Sequence, residues 1–574
     1  MNTMLSGSLL LLGVLWPLLL ILLLIFKRMR PVVSHLAPWA ALPALVASLL
    51  VEPSEIGWHL PRMMLGSEVG LDTMGQTFLL LTALLWTVSG VYAQAYFPKA
   101  DQRARFYLFF LLAMGGNFGL IVAQDLQSFY LGFTLMSFAS YGLVIFKGTT
   151  AALLAGRVYM VLVVVGEIML FVALILATQA TGAITFDAVR IGLIDADSRD
   201  LVILLALVGF GIKAGVFGLH VWLPLAHPVA PTPASAVLSG AMLKAGLLGW
   251  LRLLPLGEIA LPEWGVGATV LGLATAFYGV AIGLTQREPK TLLAYSSISQ
   301  MGIMTMIMGL GMLTPQAWPV ILPGITFYAL HHGLSKGALF LGVGMAGSHH
   351  RLQRRWIWFG LWLPALALAG APWTSGMLAK NLIKTYTLYV PAPWNELLLV
   401  LLSASTIATA LLMARLLYLL RPAAKPFGSV PVAGLVWPWM ALLLSILCVQ
   451  WWLGPLSEQA GRMQVIDSLW PTLVAFFVTV AVLRMGLFLS VRPVPAGDVL
   501  LLFERCLQLL RGMSRGWRSI LYTIIEAQRW WQVRLIHLAA VAMAIITRAE
   551  DYFSRWDVAV FLVVGMVLGV ILMA

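Results

Sequence analysis

The sequence predicts an all-α, polytopic membrane protein of about 16 transmembrane helices, and three observations predict it. Of the 574 residues, 61% are hydrophobic and only 10% charged, too few charges to cover a soluble protein of this size. Apolar runs of about 18 or more residues recur from end to end, each long enough to cross a hydrocarbon core of about 30 Å. They are too uniformly apolar for the alternating strands of a barrel, which leaves helices as the spanning element and predicts no strands.

Taken in order, spans are expected near 4–26, 33–51, 73–96, 106–123, 127–146, 157–177, 201–223, 234–255, 266–286, 291–311, 319–346, 357–390, 397–420, 433–454, 470–491 and 556–574. The first run has no basic segment before it and carries Lys27, Arg28 and Arg30 after it, as expected of a retained helix and not of a cleaved signal peptide. With the N-terminus outside, one set of connections holds the basic clusters "KRMR", "FPKADQRAR", "HHRLQRRW" and "RPAAKP". The opposite set holds the acidic stretches "VEPSEIGWHL", "FDAVRIGLIDADSRD" and "LPLGEIALPEW". The positive-inside rule then places the basic set in the cytoplasm and both termini on the outer side of a bacterial cytoplasmic (inner) membrane. The net charge of +13 is therefore topological, and nucleic acid is not an expected partner.

Two spans are interrupted. Span 7 runs into "KAGVFGLHVWLPLAHPVAPTPAS", where the proline series is expected to end the helix, and span 12 reads "ALALAGAPWTSGMLAKNLIK". Each interruption lies close to a lysine, Lys213 or Lys380. Paired broken helices in corresponding positions point to an inverted repeat with an ion site near the midplane. The expected division is 1–105 for spans 1–3, 106–255 for a first five-helix repeat, 266–420 for a second, and 433–491 for spans 14 and 15. Residues 498–551 keep helical apolar spacing but are interrupted by arginines, including Arg505, Arg511 and Arg534. They predict a long amphipathic helix lying along the membrane face, followed by the terminal span 556–574.

Ionisable groups at bilayer depth are costly and functional suspects by default. Those expected there are Glu167, Lys213, Lys244, His331, His332, Lys336 and Lys380, with Lys384 one turn further on. Lys213 precedes His220 by seven residues, which on a continuous helix puts both on one face. His332 and Lys336 are spaced i, i+4 and share a face, which favours His332 over His331 as a carrier. Burial penalises the charged form of an amine, so buried lysines with a histidine can exchange protons where exposed lysines would hold them. Lys384 and Lys290 are secondary candidates, Lys290 expected to face the cytoplasm at an entrance. Arg415 and Arg484 are expected to be snorkelling anchors. The two cysteines, Cys448 and Cys506, form no CxxC, and no phosphate loop follows a strand. No metal ligand set or cofactor of this chain's own is expected.

The segments "KAGVFGLHVWLPLAHPVAPTPASAVLSGAMLKAGLLGWLR", "KTLLAYSSISQMG", "HHGLSKGALF" and "GAPWTSGMLAK" resemble the signatures of one family. It comprises the antiporter-like membrane subunits of respiratory complex I, of membrane-bound [NiFe] hydrogenases and of Mrp cation/proton antiporters. The resemblance covers spans 4–13, and the "AHPVAP…SGAMLKAG" form is most similar to the hydrogenase branch. It implies that Lys213, Lys244 and Lys380 are the key lysines of spans 7, 8 and 12, and that His332 and Lys336 connect them on span 11. The family's span-5 glutamate, partner of the span-7 lysine, corresponds to Thr134. Glu167 on span 6 is the expected replacement, while Leu225 stands where many relatives carry an acid.

The resemblance implies a proton-translocating subunit of a complex-I-like or hydrogenase-like assembly. Other membrane subunits and a peripheral redox module would be its partners, and any Fe-S, flavin or NiFe centre would belong to them. The alternatives are an Mrp-type Na+/H+ antiporter subunit, a scaffold that no longer transports, and an ion-coupled transporter of another substrate such as inorganic carbon.

Overall fold

The computed structural model describes residues 3–53, 58–61, 66–346, 351–390, 394–422, 434–453, 465–486 and 492–497. The expected lateral helix 498–551, the terminal span 556–574 and Cys506 lie outside them. The chain begins with α1 (Thr3–Leu24), α2 (Arg30–Leu36) and α3 (Leu42–Leu50). Two three-residue strands, β1 (Trp58–Leu60) and β2 (Ser67–Val69), pair antiparallel, with Trp58 opposite Val69 and Leu60 opposite Ser67. This hairpin corrects the expectation of no strands. Three residues are too few to show an alternating pattern, and the pair is held from outside by the Asp125 carboxylate, which accepts from the Glu68 amide at 2.9 Å.

Then come α4 (Thr73–Tyr96), α5 (Ala100–Val122), α6 (Leu126–Val144), α7 (Thr150–Thr181) and the short α8 (Phe186–Gly192). Side-chain caps fix where they start: Asp72 accepts from the Gly75 amide, Asp125 from Ser128, and Thr149 from Ala152. They are followed by α9 (Arg199–Ala214), α10 (Trp222–Val229), α11 (Thr232–Val237), a π-helical turn at Leu238–Met242, and α12 (Lys244–Leu253). The remainder is α13 (Pro262–Thr285), α14 (Pro289–Leu313), α15 (Trp318–Ala346), α16 (Arg351–Ala369), α17 (Ser375–Tyr386), α18 (Trp394–Leu419), α19 (Val436–Cys448) and α20 (Val465–Arg484). Among the described residues nine helical stretches are long and apolar enough to cross a membrane, and two further apolar stretches, Val436–Trp451 and Leu469–Arg484, are shorter.

Both interrupted spans are broken, but by glycine geometry. Gly215 takes a left-handed conformation (φ 74°) and closes α9, and Gly218 follows at φ 86°. Pro224 and Pro228 lie beyond, inside α10, so the prolines do not end the helix as expected. In span 12, Gly370 (φ 78°) and Trp373 (φ 61°) separate α16 from α17. Span 2 is interrupted as well, between α2 and α3.

α14 and α15 run through the interior, with nearly every residue buried. Glycines let neighbouring backbones touch. A Cβ on Gly116 of α5 would lie 2.6 Å from the Met136 amide nitrogen and 2.7 Å from the Gly132 carbonyl oxygen of α6. Gly116→Val is therefore expected to cost about 1–3 kcal/mol or more, read as a lower melting temperature of the detergent-solubilised protein. An unchanged melting temperature would mean that the α5–α6 contact is not tight.

Candidate functional site

Lys213 occupies the last turn of α9, directly before the Gly215 break, and is 3% exposed. Its ammonium donates to the Tyr159 hydroxyl at 3.1 Å and to Ser137 Oγ at 3.3 Å. Glu167, on α7, lines the same cavity, together with Ser137, Tyr159 and Trp222. Its Oε2 accepts a 2.6 Å hydrogen bond from Thr134 Oγ1. Its Oε1 is buried with no hydrogen-bond partner among the described residues. The side chain at position 134 thus holds a carboxylate supplied from the next helix, and that carboxylate shares a cavity with the span-7 lysine. Trp222 bridges the break, donating from Nε1 to the Ile212 carbonyl at 2.8 Å.

The next amine sits at the π turn. There the Leu243 amide reaches back five residues to the Leu238 carbonyl, which leaves the Ser239 carbonyl to accept from the Lys244 ammonium at 2.6 Å. A polar chain continues from this point into α14. Ser239 Oγ lies 2.7 Å from Ser297 Oγ, and Ser297 donates to the Leu293 carbonyl at 3.0 Å. That same carbonyl accepts from the Lys336 ammonium at 2.9 Å. Lys244 and Lys336, both fully buried, are therefore connected through two carbonyls and two hydroxyls, the step from the Ser239 carbonyl to its hydroxyl being covalent. His332, one turn before Lys336, is also fully buried, and neither ring nitrogen has a hydrogen-bond partner among the described residues.

His331 is not merely packed. Its Nδ1 lies 2.9 Å from Ser375 Oγ, at the start of α17. Further along α17, Lys380 donates to the Ala369 carbonyl at 3.1 Å, a group freed where α16 stops. Lys380 and Lys384 line a second cavity together with Tyr328, Ser405, Thr406 and the apolar Ile303, Ile383 and Leu402.

Three expectations are corrected. Lys213 and His220 do not share a helical face, because α9 ends between them; His220 Nε2 instead meets the Tyr278 hydroxyl of α13 at 3.2 Å. Lys290 is buried and donates to the Ala230 carbonyl at 2.8 Å. Arg415 is buried, not snorkelling, and its Nε and Nη2 both donate to the Gln286 carbonyl at 3.0 and 2.7 Å.

Several polar residues escaped the sequence reading. Tyr159, Ser137, Ser239 and Ser297 were hidden among apolar neighbours, although "YSSISQ" was a visible run of hydroxyls. Arg252 is 2% exposed and clamps the C-terminal end of α5. His227 is fully buried within the quoted "AHPVAP".

Residues 123–411 match the family described as NADH:quinone oxidoreductase/Mrp antiporter, TM. Curated relatives include Hydrogenase-4 component B of Escherichia coli strain K12, 32% identical over 284 residues, which is 48% of this chain and 42% of that protein. NAD(P)H-quinone oxidoreductase chain 4 2 of Microcystis aeruginosa strain NIES-843 is 32% identical over 299 residues, 51% of this chain and 52% of that one. Na(+)/H(+) antiporter subunit A1 of Staphylococcus aureus strain JH9 is 27% identical over 350 residues, 57% and 43% respectively. The chain spans about half the length of the curated relatives it matches. Among solved structures, the Mrp complex from Dietzia sp. DQ12-45-1b is similar with a TM-score of 0.70 at 20% identity, covering 98% of this chain and 68% of that one. A membrane-bound sulfane sulfur reductase, an archaeal respiratory membrane complex, gives 0.66 at 20% identity, covering 93% and 99%. At that identity the likeness is one of fold.

Proposed function

We propose, since the chain belongs to the NADH:quinone oxidoreductase/Mrp antiporter transmembrane family, that it is the proton-translocating subunit of a larger membrane assembly. Its relay is formed by Glu167, Lys213, Lys244, His332, Lys336 and Lys380, with His331 bridging toward Lys380. The observation that carries this reading is the polar connection between Lys244 and Lys336: Lys244 meets the Ser239 carbonyl, the Ser239 hydroxyl meets Ser297, and Ser297 and Lys336 share the Leu293 carbonyl. Amines buried in an apolar bundle without a purpose would be an expensive arrangement, and here they stand among hydroxyls that can exchange a proton and carbonyls that hold the ammonium groups.

The mechanism follows from the pair at the head of the row. A carboxylate close to an ammonium favours the charged amine, and a carboxylate drawn away lets the proton leave. Lys213 now rests on Tyr159 and Ser137 while Glu167 is held by Thr134, so the two share a cavity without a direct hydrogen bond among the described residues. A shift of either side chain would close or open the pair and pass the charge change to Lys244 and onward. The unit 106–255 and the unit 266–420 act as inverted repeats around this row, each contributing one broken helix.

The driving energy would come from redox chemistry in partner subunits, which would carry any cofactors, with the basic face in the bacterial cytoplasm. Exchange of Na+ for protons is the alternative, favoured by the match to Na(+)/H(+) antiporter subunit A1. The companions identified after mild-detergent purification distinguish the two: redox subunits in the first case, only small membrane subunits in the second. For either reading, Lys213→Ala is expected to leave assembly intact and to cut proton movement in membrane vesicles about tenfold or more. Parental proton movement in an assembled Lys213→Ala protein would exclude the relay and favour a scaffold.

A further inference from the structure

From residue 289 to 419 the sequence holds one acid, Glu396, against eight lysines and arginines. Glu396 stands in the first turn of α18, at the end of the bundle. Lys336 and Arg415 are buried, and Lys380 and Lys384 partly so. Carbonyls meet three of these groups: Leu293 takes Lys336, Gln286 takes Arg415, and Ala369 takes Lys380. A carbonyl dipole orients an ammonium but leaves its net charge, and a charge withdrawn from water calls for a counter-charge. Lys213 shares its cavity with the carboxylate of Glu167. Residues 289–419 supply no acid to do the same for Lys380.

The cavity beside Lys380 has room for the missing charge. It encloses about 240 Å³ between α14, α15, α17 and α18, and the amines of Lys380 and Lys384 both line it. Two of its hydroxyls are already committed as donors: Tyr328 to Gln300 Oε1 at 2.6 Å, and Thr406 to the Leu402 carbonyl at 3.0 Å. Lys380 gives one of its three N–H groups to Ala369 at 3.1 Å, which leaves two to point elsewhere. Ser405 brings a third hydroxyl, near the middle of α18. Leu402, Ser405 and Thr406 are only 6, 6 and 5% exposed, so α18 turns this face inward. A carboxylate on a neighbouring chain beyond α18 is thus held off by a helix's width of about 10 Å, whereas a free ion is not.

We infer that this cavity binds a small monovalent inorganic anion, chloride, held by the ammonium groups of Lys380 and Lys384 with the Ser405 hydroxyl beside them. Single charge and small size fit the walls: Ile303, Ile383 and Leu402 cover part of the surface, and a multiply charged ion would lose more hydration than two amines return. An anion beside an amine favours its charged form, so chloride does for Lys380 what Glu167 does for Lys213. Lys384 serves as the second arm of the site. The role in transport rests on the proposed relay, because it acts through Lys380; the binding itself is read separately.

The experiment is equilibrium binding of radiolabelled chloride to the full assembly, purified in mild detergent in a gluconate buffer. The parent is compared with Lys384→Met, which keeps the bulk and removes the charge, and with Lys213→Ala, which alters the other cavity. Saturable binding is expected in the parent and in Lys213→Ala, with affinity about tenfold or more weaker in Lys384→Met. No saturable binding in the parent would overturn the site, as when a neighbouring chain's carboxylate fills the cavity. Undiminished affinity in Lys384→Met would overturn it too. If Lys384→Met does not assemble, Ser405→Ala takes its place: weaker binding supports the site, and parental binding overturns it. In sealed vesicles, with the membrane potential clamped by potassium and valinomycin, replacing chloride by gluconate is expected to slow proton movement about threefold or more. Equal rates in the two salts would overturn the role at Lys380. Lys244→Ala separates the two readings: parental proton movement there overturns the relay, while its chloride binding is expected to stay parental in either case.

Discussion

Glu167→Gln is expected to lower proton movement by about tenfold or more while the protein still assembles. The amide can keep the Thr134 hydrogen bond, now 2.6 Å to Oε2, so packing is conserved and only the charge is removed. Thr134→Ala should do less, since it takes away one hydrogen bond and leaves the carboxylate in the cavity. The decisive variant combines Thr134→Glu with Glu167→Gln. Because the two side chains already touch, a carboxylate grown from position 134 would reach the space that Glu167 now fills, and the pair with Lys213 would be rebuilt from α6. Recovery of transport in the double variant would show that the carboxylate has moved between helices while its role stayed. Parental activity in Glu167→Gln alone would show that Glu167 is a packing acid.

The second large effect is on stability. Arg252 sits at the end of α12 and donates to the Ile121 carbonyl at 2.7 Å, to the Leu120 carbonyl at 3.5 Å and closely to that of Ala123. It also pairs with Asp72 at 3.2 Å. These carbonyls belong to the last turn of α5 and the residue after it, groups that a helix leaves without partners of its own. Asp72 meanwhile caps α4. One guanidinium therefore ties three helices together at the face opposite the basic one. Arg252→Ala would strand the carbonyls and is expected to cost about 3 kcal/mol, at the low end for a broken buried pair because Asp72 is partly exposed. The readout is a clear drop in melting temperature in detergent. Arg252→Lys should recover only part of the loss, because an ammonium cannot reproduce the fork. An unchanged melting temperature in Arg252→Ala would mean the clamp carries no stability.

The sequence made the membrane class and most of the helices legible, because bilayer-length apolar runs bounded by charged loops leave few alternatives. It also located the two breaks, through Gly370 and the segment after Lys213. What it misjudged was their cause. Four prolines in "LPLAHPVAPTP" drew attention from Gly215, whose left-handed backbone stops α9 before any of them. Counting a helical face across that break placed His220 beside Lys213, whereas the chain carries it to Tyr278. The lysines at bilayer depth were readable because charge is rare there. Their hydroxyl and carbonyl partners were not, since serine is unremarkable in an apolar run and a π turn has no sequence mark. The Thr134–Glu167 contact lay between these extremes. Sequence supplied both residues, and the fold places them in contact.

Everything proposed for this chain depends on protons moving along the row of buried amines. The most direct measurement is proton movement in sealed vesicles carrying the full assembly, compared between the parent and Lys244→Ala, with assembly verified in the same membranes. The account expects proton movement to collapse in Lys244→Ala, because the link through Ser239 and Ser297 to Lys336 loses its first amine. Proton movement at the parental rate in that variant would contradict it.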